Sequence, residues 1–262
     1  MSQAVKQVVC MKWAKLYGPE YVNRLYAMVR SNVTGPLRFV CLTDDPTGIR
    51  AEVECLPCTS INVTSKWKET GWRKISLFAP SERLLGFTGD WLFIDLDVVV
   101  TGNMDGFFEY EPERPFVVMR NWTQMDKVIG NTSVYRFRVG CATHLLEKLE
   151  REGLEAQLLK YPNSQTFISN EIGNIMHFWP DAWCALFKVQ CIPAWPMRLF
   201  QAPVIPKGCK IIAFPGMPNP PDAAVGSWPE KKFYKRLYKR IRPAHWIPKI
   251  WQESEDKIRR IG

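Results

Sequence analysis

Apolar and polar positions alternate in blocks over the first hundred residues, and each block carries its own period. Residues 6–11 form a short apolar run that predicts a strand, and 13–19 break it as a loop. Over 20–33, Val22, Leu25, Tyr26 and Val29 recur at helical spacing, and Gly35-Pro36 stops the helix. A second strand is predicted over 37–42, closed by the turn Thr43-Asp44-Asp45-Pro46, and a short third one over 53–56. Gly71–Phe78 opens a second helix. The run 89–102 then follows, rich in Val and Ile and bounded by Gly, which reads as a strand buried on both faces. This alternation predicts an α/β fold with a single, mostly parallel mixed sheet flanked by helices. In such sheets ligands sit at the carboxyl ends of the strands.

The second half is less regular. Strands are predicted over 116–119 and 131–137, and one long helix over 143–160 with Thr143 as its N-cap and leucines at 145, 146, 149, 154, 158 and 159. A short helix starts near 163–168, and 178–221 reads as irregular, Trp- and Pro-rich structure packed on the sheet. Residues 1–225 read as one α/β domain, with a nucleotide-binding type of sheet to about 110 and a less regular half beyond it, and 226–262 form a tail.

The chemistry centres on Asp95 and Asp97, set two apart in the run 89–102. Residues i and i+2 of a strand share a side. Two carboxylates desolvated together repel, so one takes a proton or a cation neutralises them. A hard divalent ion, Mn²⁺ or Mg²⁺, meets that demand and makes both residues candidate metal ligands. The competing reading ends the strand earlier and turns both Asp to solvent. Apolar residues continuing through Val100 argue against it.

Composition narrows the picture. At 262 residues and 46% hydrophobic the chain can bury a full core, and no run of 18 apolar residues predicts a transmembrane helix. The N-terminus lacks signal-peptide character, which predicts a cytoplasmic protein and leaves the sequons at Asn32, Asn62, Asn121 and Asn131 without glycosylation meaning. Eight scattered Cys fit that compartment; Cys55-Leu56-Pro57-Cys58 has no second pair for zinc and reads as structural. The net charge of +9 concentrates late, where 231–242 interleave Lys and Arg with aromatics and Trp246 and Trp251 follow. Such a segment suits an anionic membrane surface, or packs its apolar residues on the body. No nucleic-acid module accompanies it.

The run 93–100 and the turn Gly102-Asn103-Met104-Asp105-Gly106-Phe107-Phe108 resemble the GT-A glycosyltransferases, and are similar to the family 8 group of glycogenin and the bacterial lipooligosaccharide galactosyltransferases. The order of motifs carries the resemblance over roughly 6–225, since a lone DxD is weak. It implies a GT-A fold and transfer of a hexose, with retention, from a nucleotide sugar (a UDP-sugar) to a glycan or lipid-linked saccharide. Asp95 and Asp97 would hold the metal on the diphosphate. Cys10, Met11 and Lys12, with Thr43 and Asp44, would hold the nucleoside. Lys74 would reach the phosphates or donor sugar, the stretch from Asn131 to Ser133 would line the sugar pocket, and Gln165 would lie near the anomeric carbon. Gly216 belongs to the late Gly-Pro loop.

That loop departs from the family's "HxxGxxKPW": its His is Ala213 and its Lys is Asn219, which leaves water, Asn219 or Asp222 as candidates to complete the coordination. Ser164 stands for the Asp of the family's "DQ". These departures keep a second reading open, a membrane-surface binding module of the same fold without catalysis. A haloacid dehalogenase-like phosphatase also uses DxD after an apolar strand. It places the motif on the first strand, however, whereas some ninety residues of α/β pattern precede Asp95 here.

Overall fold

The computed structural model describes residues 4–64, 67, 70–124, 126–230, 234 and 239–261. Among them a seven-stranded mixed sheet has the order β3-β2-β1-β4-β7-β6-β8, its far edge β8 being Met176–Phe178, parallel to β6. β1 (Lys6–Lys12) pairs in parallel with β2 (Leu37–Thr43) along its whole length, with Cys10 opposite Cys41, and β3 (Glu54–Pro57) adds a parallel edge. Between β1 and β2 runs α1 (Pro19–Ser31), which starts on Pro19 where a missing N–H costs nothing. β4 (Asp90–Ile94) lies parallel to β1 and antiparallel to β7 (Gly130–Arg138), which in turn pairs with β6 (Phe116–Arg120). The mostly parallel α/β sheet expected from the alternation is there.

The run 89–102 is not one strand. Its main-sheet pairing ends at Ile94 opposite Val134, and Val98–Val100 forms β5 of a separate three-stranded sheet. There β5 runs antiparallel to β10 (Ile211–Ala213), which lies parallel to β9 (Cys184–Leu186). Continuous apolar character made the run read as a single strand. Both pieces are buried, but by different partners. The region 178–221 therefore holds a small sheet rather than irregular structure alone; its strands are three residues long, too short to show a period.

Side chains alternate across β1: Val8 and Cys10 join the core shared with α1 and the small sheet, whereas Val9 and Met11 face Trp72, Phe78 and Phe93. On that second side lie α3 (Thr143–Glu152), α4 (Leu154–Lys160) and α5 (Ser164–Glu171); α2 (Asp105–Glu109) follows β5. The helix expected over 143–160 is two helices, because Gly153 takes φ 80°. Ala142, not Thr143, sits at the cap, and no side chain caps it.

After α6 (Pro220–Ala224), α7 (Trp246–Ile261) lies against α1. The Arg24 guanidinium sits 4.1 Å from the Trp251 ring, Arg50 pairs with Glu255 at 3.2 Å, and the Trp246 indole donates to the Pro203 carbonyl at 2.9 Å. Both tail tryptophans thus pack on the body. Most of the basic stretch 231–242, namely 231–233 and 235–238, lies outside the described residues. No described helix is long and apolar enough to cross a membrane, and all eight Cys are free thiols.

Arg136 of β7 ties the sheet to the turn after α2. Fully buried, it donates to the carbonyls of Phe107 (3.2 Å), Phe108 (3.3 Å), Tyr110 (2.8 Å) and Glu111 (2.7 Å). Arg136→Met keeps the bulk and orphans these acceptors. The expected loss is about 2–4 kcal/mol of unfolding free energy, read as a lower urea midpoint; a loss under about 1 kcal/mol would contradict this role.

Candidate active site

The break between the two sheets delivers both carboxylates to one place. The Asp95 amide donates to Ser133 O of the main sheet at 2.8 Å, and the Phe214 amide donates to Asp97 O at 3.0 Å, just past β10. Asp95 and Asp97 sit in the bend between β4 and β5, neither paired in a strand nor turned out to solvent. They form a shared wall of two adjoining cavities.

The first cavity, about 210 Å³, is lined by Met11 at the end of β1, by Trp13, Leu16 and Tyr17 of the loop after it, and by Leu96. The second, about 340 Å³, is richer in polar side chains: Asn131, Thr132, Ser133, Asn163, Ser164 and Gln165 line it, together with Trp67, Trp72, Pro162 and Pro215. Thr70, Gly71, Lys74, Asp95 and Asp97 belong to both. A register shift between Val118 and Met119 sits beside the start of β7 and re-aims its first residues toward the polar cavity. Asn163 caps α5 by accepting from the Thr166 amide at 2.9 Å, which fixes Ser164 and Gln165 at the helix start. Gly71 lets the turn Gly71–Phe78 approach α5: a Cβ there would come within 2.9 Å of Ser164 Oγ.

Charges are placed unequally. Lys74 is buried and donates to Asp95 Oδ2 at 2.7 Å and to Thr132 O at 3.1 Å. Tyr17 donates its hydroxyl to Asp97 Oδ2 at 3.0 Å. Burial, and next the neighbouring Asp95 charge, push the Asp97 carboxyl up to about 7, against the opposing pull of Lys74 and the Tyr17 hydrogen bond. Burial and the adjacent Asp97 push the Tyr17 hydroxyl up as well. Lys188, from the turn Phe187–Cys191 after β9, donates to Pro215 O behind the polar cavity. Burial lowers its pKa, with the charge of Lys239 adding to the effect and that of Asp97 opposing it.

The structure brings together Met11, Lys74, Asp95, Asp97, Asn131, Ser133 and Gln165. Five other expected positions, Cys10, Lys12, Thr43, Asp44 and Gly216, line neither cavity. Cys10 is fully buried and points to the α1 side, since it alternates with Met11. Lys12 donates to Asp45 O at 3.1 Å, Thr43 Oγ1 accepts from the Asp45 amide at 3.1 Å, and Asp44 accepts from the Ala14 amide at 3.0 Å, so these three fix the loop walls. Gly216 takes φ 69° beside Pro215. Asn219 and Asp222 are engaged in the capping box of α6, with the Asn219 amide donating to Asp222 Oδ2 at 3.1 Å. Tyr17, Trp13 and Lys188 went unnoticed in the sequence. The aromatic cluster just after β1 was the available signal for the first two; nothing local marks Lys188.

The donor set suits a small hard cation in part. Two carboxylates face a common wall, and one of them carries a charge that burial leaves poorly compensated. Among the described residues no group of three or more His, Cys, Asp or Glu surrounds them. Mg²⁺-type ions bound with substrate phosphates take one or two protein carboxylates and fill the rest with phosphate oxygen and water, so the pair is sufficient.

No protein-family profile matches the chain, and no curated protein matches it in sequence. Solved structures do. The glycosyltransferase GlyE of Streptococcus pneumoniae TIGR4 superposes with a TM-score of 0.57 at 14% identity, over 95% of this chain and 63% of GlyE, so the chain spans less than two thirds of that protein. The galactosyltransferase LgtC in complex with donor and acceptor sugar analogues gives 0.53 at 11%, over 82% and 88%. An active-site mutant of LgtC gives 0.55 at 11%, over 92% and 98%. The fold is that of GT-A glycosyltransferases, as the motifs implied. None of these neighbours is a phosphatase, and Asp95 follows the fourth strand, not the first.

The Asp97 assignment has a measurable consequence. A carboxyl at about 7 in the folded chain and at the ordinary value of 3.8 unfolded binds its proton more tightly when folded. Stability is then fully present below the ordinary carboxylate range and falls as pH rises to about 7. Asp97→Asn removes that slope. In chelator, its melting temperature should match the parent's at acid pH and exceed it increasingly up to neutrality. A gap that stays constant across this window would refute the assignment.

Proposed function

We propose that the chain is a metal-dependent glycosyltransferase, moving a hexose from a nucleotide sugar to a glycan or lipid-linked saccharide. One observation carries this reading: a cavity lined by Met11, Trp13, Leu16 and Tyr17 and a second one bearing Asn131, Ser133, Asn163 and Gln165 meet at a wall made of Lys74, Asp95 and Asp97. A nucleotide sugar has the same succession of base, diphosphate and sugar. The base would lie against Trp13, Met11 and Tyr17, and the sugar hydroxyls against Asn131, Ser133 and Gln165.

Asp95 and Asp97 would hold Mn²⁺ or Mg²⁺, which when bound supplies Lewis-acid neutralisation of the leaving diphosphate. Lys74, already oriented by Asp95 and Thr132 O, can swing its ammonium toward the same oxygens as a point charge. Lys188, behind Pro215, is a second cation within electrostatic range of Asp97. Asp95 and Asp97 are the only carboxylates among the described residues lining the two cavities. The family resemblance implies a retaining course. An anionic membrane surface as a further partner is part of the reading, supported by the net charge of +9.

Calorimetric titration with UDP and UDP-sugars tests this directly. Binding is expected with Mn²⁺ present and lost in Asp97→Ala; a folded parent chain that binds no nucleotide under either condition would favour the non-catalytic module. Trp13→Ala should weaken UDP about ten-fold, from the loss of base stacking. An unchanged affinity would move the base out of the aromatic cavity.

A further inference from the structure

The segment from Trp195 to Ile205 shows its apolar side chains to solvent on an ordered backbone. Trp195, Met197, Phe200, Val204 and Ile205 are all exposed, Phe200 by 73% and Trp195 by 53%. The chain beneath them is held in place. The Phe200 amide donates to Met197 O (2.9 Å), the Val204 amide to Cys191 O (3.0 Å), and the Trp246 indole to Pro203 O (2.9 Å). A loop that spends two aromatics and three aliphatics on water, with its own backbone fixed, presents a surface rather than a core.

Its electrostatics are one-sided. From Ala182 to Pro221 the sequence contains no Asp or Glu, and its charged residues are Lys188, Arg198, Lys207 and Lys210. The bounding acids are engaged elsewhere: Asp181 pairs with Arg120 at 3.1 Å, and Asp222 closes the α6 capping box. Through Trp246 the segment abuts the start of α7, where Arg242, His245 and Lys249 are exposed.

We propose that this face docks on an anionic lipid bilayer, with Trp195, Met197 and Phe200 entering the headgroup region and Arg198, Lys207 and the start of α7 meeting lipid phosphates and carboxylates. Exposed aromatics interleaved with cations match that surface, with no acid from Ala182 to Pro221 and Glu253 of α7 paired to Lys249 at 3.9 Å; an acidic protein would supply the charge but leave an apolar demand that the interfacial region of a bilayer meets. The segment continues the chain from the turn Phe187–Cys191, whose Lys188 contacts Pro215 at the polar cavity. Docking there would hold the cavity close to the membrane surface. This deepens the glycosyltransferase reading by naming a lipid-linked acceptor class, and rests on it only for that point.

The test is co-sedimentation of the full chain with sucrose-loaded vesicles of phosphatidylcholine, with and without phosphatidylserine, at low and high salt. The parent is expected to sediment with the anionic vesicles and to release in salt. Trp195→Ser/Phe200→Ser should lose about ten-fold in partitioning, and Arg198→Glu/Lys207→Glu should lose binding and its salt dependence. Trp195, Phe200 and Lys207 are exposed, so their substitutions should leave melting temperature and UDP titration at parent values; Arg198 is half-buried, and Lys207→Glu alone, expected to weaken binding to anionic vesicles, keeps the charge test readable if Arg198→Glu lowers the melting temperature. A parent that ignores anionic vesicles overturns the proposal, as does a Trp195→Ser/Phe200→Ser variant that sediments like the parent. Vesicle indifference together with a dimer broken by the same variant would assign the face to a second copy, and also overturns it. Vesicle binding with no nucleotide binding would refute the enzymatic reading while leaving this one intact.

Discussion

Everything at the site depends on placing two carboxylates in a buried bend with one lysine between them and the core. Lys74 neutralises Asp95 at 2.7 Å, while Asp97 takes its direct side-chain hydrogen bond from the Tyr17 hydroxyl and feels the charge of Lys74 from further off. Burying an ion without its counter-ion is among the costliest things a fold can do. The surrounding structure offsets that cost with dense packing on both sides of the main sheet, where Phe93, Tyr135 and Phe78 stack beneath Lys74 and the Val98–Val100 segment is sealed by α1 and the small sheet. The residual negative charge marks the seam between the two cavities as the place where a cation or cationic side chain is most welcome.

Much of this was legible because it follows from periodicity. Strands β1 to β4, α1 and the positions of Asp95 and Asp97 are set by apolar spacing and by Gly and Pro punctuation, which act locally. What was misread depended on partners far along the chain. The run 89–102 has uniform apolar character, so nothing in it records that its two ends belong to different sheets; that is decided by residues 184–186 and 211–213. Cys10 was grouped with Met11 by adjacency, yet strand alternation sends it to the opposite face. The helix at 143–160 was read through Gly153 because leucines continue on both sides, although a glycine at positive φ ends a helix whatever follows.

The loop 213–222 has a local structure of its own: Asn219 and Asp222 secure each other at the start of a short helix. Lys188, from another element, donates to Pro215 O. In sequence this loop departs from the one the resemblance implies. That is consistent with a chain that superposes on GT-A enzymes at 11–14% identity yet matches no family profile.

The division of the 89–102 run also has a mechanical meaning. Asp95 is anchored by its amide to the seven-stranded sheet and Asp97 by its carbonyl to the end of the three-stranded one. The residues from 95 to 97 are thus a hinge pin shared by two leaves of unequal size. Strands of three residues hold the smaller leaf, which places it toward the low end of local stability. Any ligand that grips both carboxylates fastens one leaf to the other, and part of its binding free energy reappears as resistance of the small sheet to opening. Amide protons of Ile211–Ala213 would then record occupancy of a site that they do not touch.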